Sequence, residues 1–400
     1  MLTRGPPRET SQEVHMGESI RDTQETPGNL AASGYRCTLS GEPLTVQEQR
    51  VFEPSLDAAG AAPSVWKIYD AVSRVSTPRT QARILRVYDG AELAGAALML
   101  RCKAWAESLF APPLLHLPVD ALRLPAHIWI RVGYCAEGIA NPGFVARGHS
   151  RDAVIDAMLE HLKHHALGTI VTDTVANAGL HKGASRFPYV NDGRVVTAGM
   201  RSIEDFLGLH NNLARKIKWF AKRGGRIEMI RGGLDASRLP DLRRFIRTTV
   251  EKSVIHSPFQ DCFEQIVERT STCDSTDLVH FLAYLDGAPV GHHTFVRAGR
   301  TLRMIHGAFD RSLPKTHHAY ENLLVESVRF ALAEGVESIH YGPVLNETKR
   351  RMMTDTEPAA LYFYSNNPII RAVIPRIFPY TRMQRKELMA FGDVDAGEQD

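Results

Sequence analysis

The chain has 400 residues, 44% of them apolar and 23% charged, with a formal net charge of +3. That length suits two cores of roughly 150 to 200 residues, and so small a charge excludes a dedicated nucleic-acid coat. Its five cysteines, Cys37, Cys102, Cys135, Cys262 and Cys273, form no CxxC pair, which argues against a zinc ribbon or a disulfide framework. No run of 18 apolar residues offers a membrane span.

Residues 1–34 begin with a polar stretch rich in Arg, Glu, Thr, Gln and Pro, which cannot offset its ordering entropy by burial and reads as a disordered tail. With no apolar leader, the chain is expected in the cytoplasm with reduced thiols. From Val65 to Val75 apolar residues recur at helical spacing. Residues 82–102 then form two apolar runs about Asp89-Gly90, a dipeptide suited to a tight hairpin turn. Strands are expected at Ile128–Tyr134 and Phe144–Ala146, a helix over Asp152–His165 and a strand at Thr169–Thr172.

Ile203–Gly225 has helical periodicity and carries Arg215, Lys216, Lys218, Lys222 and Arg223, with a short strand following at Arg226–Ile230. A solvated basic face and an anion-holding surface are equally good readings of it. A helix over Leu239–Val254 precedes a second hairpin, Leu278–Phe295, turning at Asp286-Gly287. Strand Thr301–Ala308, helix Tyr320–Glu334 and strand Ser338–Tyr341 complete this half. Both halves therefore read helix, hairpin, strand, helix, strand, and such internal repetition implies two copies of one unit.

Three segments carry a family likeness: NLARKIKWFAKRGGRIEMI, FLAYLDGAPVGHHTFVRAGRTLRMIHGAFD and HHAYENLLVESVRFALAEGVESIHYGPVLNETKRRM. They resemble the GNAT superfamily, and their duplication resembles the tandem Fem-type peptidyltransferases and Fem-like acetyltransferases. The resemblance implies an α/β fold of two tandem GNAT-like domains, residues 35–200 and 201–390, with catalysis in the second. It implies acyl transfer to an amine, from acetyl-CoA or another acyl-CoA, or from an aminoacyl-tRNA. The acceptor would be a small molecule, an amino acid or a peptide-like molecule, with no metal involved. Where GNAT enzymes hold the donor pyrophosphate on a glycine-rich loop at a helix start, this chain has Ser312–Tyr320 without glycine. Lys315, Thr316, His317 and Tyr320 are the residues expected to hold the donor there.

Acyl transfer needs a neutral amine, a route for its proton and stabilisation of an oxyanion. His292, His293, His306 and Tyr341 are the candidates for that chemistry. Because strand neighbours point to opposite faces, only one of His292 and His293 can face a given cleft. Lys349, Lys216 and Trp219 are expected to bind substrate, Lys349 standing where the resemblance places a lysine that assists phosphate or carboxylate binding. Glu251 and Glu321 lie within helices, where a surface charge is the simpler reading than a base. His161 and His165 share a helical face but lack the companion ligands of a zinc motif. A third reading leaves a non-catalytic binding protein whose donor loops have decayed.

Overall fold

The computed structural model describes residues 28–29, 34–58, 64–77, 80–102, 126–130, 143–164, 168–188, 191–251, 260–313, 318–344 and 347–377. Most of the tail expected over 1–34 lies outside the described residues, except that β1 (Gly28–Asn29) pairs with β2 (Tyr35–Ser40). Helices α1 (Val46–Ala58) and α2 (Ser64–Ser73) follow. The hairpin of β3 (Thr80–Asp89) and β4 (Glu92–Cys102) turns at Asp89-Gly90, with Gly90 at φ +58. That left-handed conformation suits glycine. Strands β5 (Ala126–Ile130) and β6 (Phe144–Val145), helix α3 (Arg151–His164) and strand β7 (Thr169–Thr174) close the first repeat. Helix α3 buries Val154, Ile155, Met158, Leu159 and Leu162, the three-to-four spacing that makes one apolar stripe.

After β8 (Ser185–Pro188) and β9 (Asp192–Val196), the single helix expected over 203–225 is two, α4 (Ile203–Gly208) and α5 (Leu213–Lys222). The break falls at His210-Asn211-Asn212, where Asn212 takes φ +65, a conformation asparagine tolerates better than most side chains. Strand β10 (Arg226–Arg231), helices α6 (Leu239–Glu251) and α7 (Gln260–Ser271), and strands β11 (Leu278–Leu285), β12 (Ala288–Ala298) and β13 (Thr301–Phe309) come next. The β11–β12 turn sets Asp286 and Gly287 at φ +50 and +82, the backbone of a tight hairpin. Then follow α8 (Ala319–Ala333), β14 (Ser338–Pro343), α9 (Glu347–Met352), β15 (Asp355–Glu357), β16 (Ala359–Tyr364) and α10 (Pro368–Ile377).

The strands make two sheets, one ordered β1-β2-β3-β4-β5-β7-β16-β8, with β6 beside β4, the other β10-β11-β12-β13-β14-β9-β15. Two strands change sides. β9, from the end of the first repeat, lies against β14, while β16, from the end of the second, lies between β7 and β8. A buried network holds β16 in place: His181 Nε2 is 2.7 Å from Asp173 Oδ2 and Nδ1 is 2.6 Å from the Tyr364 hydroxyl. Tyr362 stacks on the same imidazole at 3.8 Å. The sheets are each packed by a repeat helix, α3 on the first and α8 on the second, whose Leu323, Leu324, Val325, Val328 and Phe330 are buried. Each such side chain contributes about 1.5–3 kcal/mol of burial.

Candidate active site

In the second sheet β13 and β14 run parallel, and their ladder covers three pairs among the described residues, Thr301–Ser338, Leu302–Ile339 and Arg303–His340. Both strands continue, β13 to Phe309 and β14 to Pro343, so their inner edges splay beyond Arg303 and His340. A register shift on each flank, at Thr294/Phe295 against β12 and at His340/Gly342 against β9, accompanies the opening. Beyond Arg303 and His340 the two strands share no ladder pair among the described residues. At the mouth, Lys349 Nζ donates to the Tyr341 carbonyl at 2.5 Å. Burial lowers this ammonium's pKa to about 8, with Asp192 opposing the shift.

The face toward α8 carries His293 and Tyr320. Gly307 makes room for the imidazole: a Cβ there would lie 2.6 Å from His293 Cδ2, so the ring leans across β13 toward the splay. Phe295, Phe309 and Tyr320 surround it edge-on at 5.5–5.9 Å. His293 Nδ1 and the Tyr320 hydroxyl are buried and have no protein partner among the described residues. Burial holds the His293 pKa well below its ordinary value, reinforced by His292 and Lys349, and burial raises that of the Tyr320 phenol. Near neutral pH the imidazole is therefore uncharged and the phenol protonated.

Tyr341 shares this face but is turned into the core: its hydroxyl is 2.6 Å from Ser327 Oγ on α8, and the residue is 2% exposed. His292 and His306 lie on the opposite face, as alternation along β12 requires. There His292 Nε2 is 3.0 Å from His306 Nδ1, and His306 Nε2 is 3.2 Å from Ser271 Oγ. His280 Nδ1, beside them, is 2.9 Å from Thr294 Oγ1. Burial, then neighbouring imidazoles, lowers the pKa values of His292, to about 3, and of His306. The four expected catalytic side chains thus divide between two faces of one sheet, two on each.

Where the donor was expected, Lys315, Thr316 and His317 lie outside the described residues. At the adjoining start of α8, Glu321 is 6% exposed, not the surface charge its helical position suggested. It accepts from Lys216 Nζ at 2.7 Å and lies 3.5 Å from His318 Nδ1. Burial opposes its charge, but His318 and Lys216 outweigh that and bring its pKa to about 2, which removes it as a base near neutral pH. Lys216, expected on substrate, is held in this pair in the described structure. Trp219 packs edge-on against His318 at 5.1 Å and carries Arg223 over its ring at 4.6 Å. Arg215, Lys218 and Lys222 project from α5 into solvent with no carboxylate partner among the described residues. A second buried pair, His340 Nδ1 with Asp192 Oδ2 at 3.4 Å, joins β14 to the exchanged strand β9; no local pattern signals it.

His161 is buried on α3 and His165 lies outside the described residues. Among the described residues no group of three or more His, Cys, Asp or Glu is arranged to hold a metal, and no helix is long and apolar enough to cross a membrane.

The splayed parallel pair with His293 and Tyr320 beside it is the candidate site. Residues 209–350 match the model of the acetyltransferase (GNAT) domain, so this segment is a GNAT domain and the chain is an acyltransferase. Across nearly its whole length it shares the fold of L-PGS from Bacillus licheniformis, at 12% identity, with 87% of this chain and 99% of that one covered and a TM-score of 0.51. A tandem GNAT protein from the clavulanic acid biosynthesis pathway and FemX are also similar, at 12% and 14% identity. Each covers 83% of this chain and 99% of its own, with a TM-score of 0.47. No curated protein sequence matches the chain.

Proposed function

We propose that this protein is an N-acyltransferase that takes an acyl group from an acyl-CoA, acetyl-CoA first among them, and passes it to the amine of a small or peptide-like acceptor. The splay of β13 from β14 carries this reading, because beyond Arg303 the β13 edge has no ladder partner on β14 and suits pairing with the amide groups of a pantetheine arm. The amine nitrogen attacks the thioester carbonyl, forming the C–N bond, and the C–S bond then breaks. The neutral imidazole of His293 takes the proton lost by nitrogen. The Tyr320 hydroxyl, rather than that of Tyr341, supplies a proton to the leaving thiolate. Lys349, whose pKa of about 8 leaves it mostly cationic at pH 7, favours the developing oxyanion.

A second donor, an aminoacyl-tRNA, is favoured by one observation: α5 presents Arg215, Lys218 and Lys222 without acidic partners, while the start of α8 already holds the carboxylate of Glu321. A pyrophosphate at that helix start meets a like charge, whereas an RNA backbone can lie along α5. Thermal unfolding with acetyl-CoA, longer acyl-CoAs and charged tRNA separates the two, since a ligand of the folded state raises its stability. Acyl-CoA stabilisation supports the first donor. Stabilisation by tRNA alone, falling steeply with salt, replaces it with the second, and stabilisation by neither sinks both and favours a binding protein.

A further inference from the structure

Strand β9 crosses from the end of the first repeat into the second sheet and brings the carboxylate of Asp192 to the end of β14. Between His340 and Gly342 the β9–β14 ladder shifts register, so Tyr341 has no partner in it. Gly342 takes φ +73 there, a left-handed backbone that suits such a bulge. Two side chains converge on the bulge. From α9, Lys349 Nζ donates to the Tyr341 carbonyl at 2.5 Å. From β9, Asp192 Oδ2 lies 3.4 Å from His340 Nδ1, and its Oδ1 lies 3.9 Å from the point where a Cβ on Gly342 would stand. Asp192 is 4% exposed, so water and salt screen its charge little.

Other titratable groups face the same place. Arg194, also on β9, is paired with Asp355 of β15. Burial lowers the pKa of His340, against its bond from Asp192 and with help from Arg303 on β13 and from Arg194, so this imidazole is uncharged near neutral pH. Lys349 in turn disfavours a proton on His293 of β12. Asp192 is the acid that acts on Lys349, and a nearby opposite charge favours the ammonium form.

We infer that Asp192 is a positioning residue for acyl transfer, holding the Lys349 ammonium at the splay from the exchanged strand β9. This rests on the proposed use of Lys349 for the oxyanion. The strand exchange then completes the site of the second repeat as well as its sheet.

The test compares Asp192→Asn and Asp192→Glu with the unsubstituted full-length protein, each checked for folding by circular dichroism. Competitive labelling with trace acetic anhydride over a range of pH, read on the Lys349 peptide by mass spectrometry, reports the lysine without any acyl-CoA. Half-titration is expected at about pH 8 in the unsubstituted protein, about one pH unit lower in Asp192→Asn, and most of the way back in Asp192→Glu. Transfer from acyl-CoA is the second readout. That fall makes Asp192→Asn slower by about twofold at pH 7 and about fivefold at pH 8, with the donor KM unchanged, whereas a merely structural loss lowers the rate by one factor at every pH. Identical labelling of Lys349 in Asp192→Asn and the unsubstituted protein overturns the inference, and so does a rate loss independent of pH that Asp192→Glu does not restore. Shifted labelling with no transfer from any acyl-CoA upholds the contact between Asp192 and Lys349 and overturns the proposed reaction instead.

Discussion

Mild acid should destabilise this protein before its carboxylates titrate, because the second sheet buries imidazoles in neutral form. Burial lowers the pKa of His280 to about 4 and that of His292 to about 3, against about 6.5 in an unfolded chain. A folded pKa below the unfolded one means that the unfolded state binds the extra protons. The stability is therefore complete above pH 6.5 and is lost as pH falls toward the folded values. At pH 5 each of these unfolded imidazoles is protonated and its folded counterpart is not, a loss of about 2 kcal/mol per residue and about 4 kcal/mol for the two. His293 and His306 shift in the same direction and add to the loss. Since domains are stable by only about 5–15 kcal/mol, the effect is measurable by urea unfolding, followed by tryptophan fluorescence, at pH 7.5 and pH 5.0. The double variant His280→Gln, His292→Gln should shrink the difference between the two pH values by about 4 kcal/mol. An unchanged difference would refute neutral burial as the cause.

Other consequences follow from single contacts. Removing Lys216 as Lys216→Met leaves the buried carboxylate of Glu321 with His318 as its remaining cationic partner and should cost about 1–2 kcal/mol, read as a fall in the urea midpoint, while Glu321→Gln in the same background restores most of it. Tyr341→Phe removes the hydroxyl that meets Ser327 and should lower stability by about 1 kcal/mol with acyl transfer retained; loss of transfer at full stability would return Tyr341 to the chemistry. Gly307→Ala places a methyl against the His293 ring, so turnover should fall in an assay whose donor binding, measured separately, is unaltered.

Local chemistry made much of this fold legible. Asp89-Gly90 and Asp286-Gly287 announce hairpins because their turns need backbone angles that Gly adopts freely. Helices α3 and α8 announce themselves by apolar stripes, and the alternation of His292 and His293 gave the correct division between faces. The exchange of β9 and β16 was not legible, since a short apolar strand such as AALYFY carries no mark of the sheet it will join. The break between α4 and α5 rests on Asn212 alone, a weak signal inside an otherwise helical period. Glu321 looked like a surface charge because its partners, Lys216 and His318, come together only when α5 packs against the start of α8. Tyr320 and Tyr341 illustrate the same limit: both were candidates by position, and only packing separates the hydroxyl satisfied by Ser327 from the one left without a protein partner.

In the proposed reaction an amide forms at the splay of β13 and β14 with His293 and Tyr320 moving the protons. It is tested most directly by mass spectrometry of reactions containing acyl-CoA and a panel of amines, with released thiol measured in parallel. One acylated amine per thiol released is expected, with His293→Ala slowing transfer by about 10²–10⁴-fold and Tyr320→Phe slowing it in a way that weakens as the leaving group becomes a better one. Transfer that proceeds undiminished in folded His293→Ala and Tyr320→Phe proteins would contradict it.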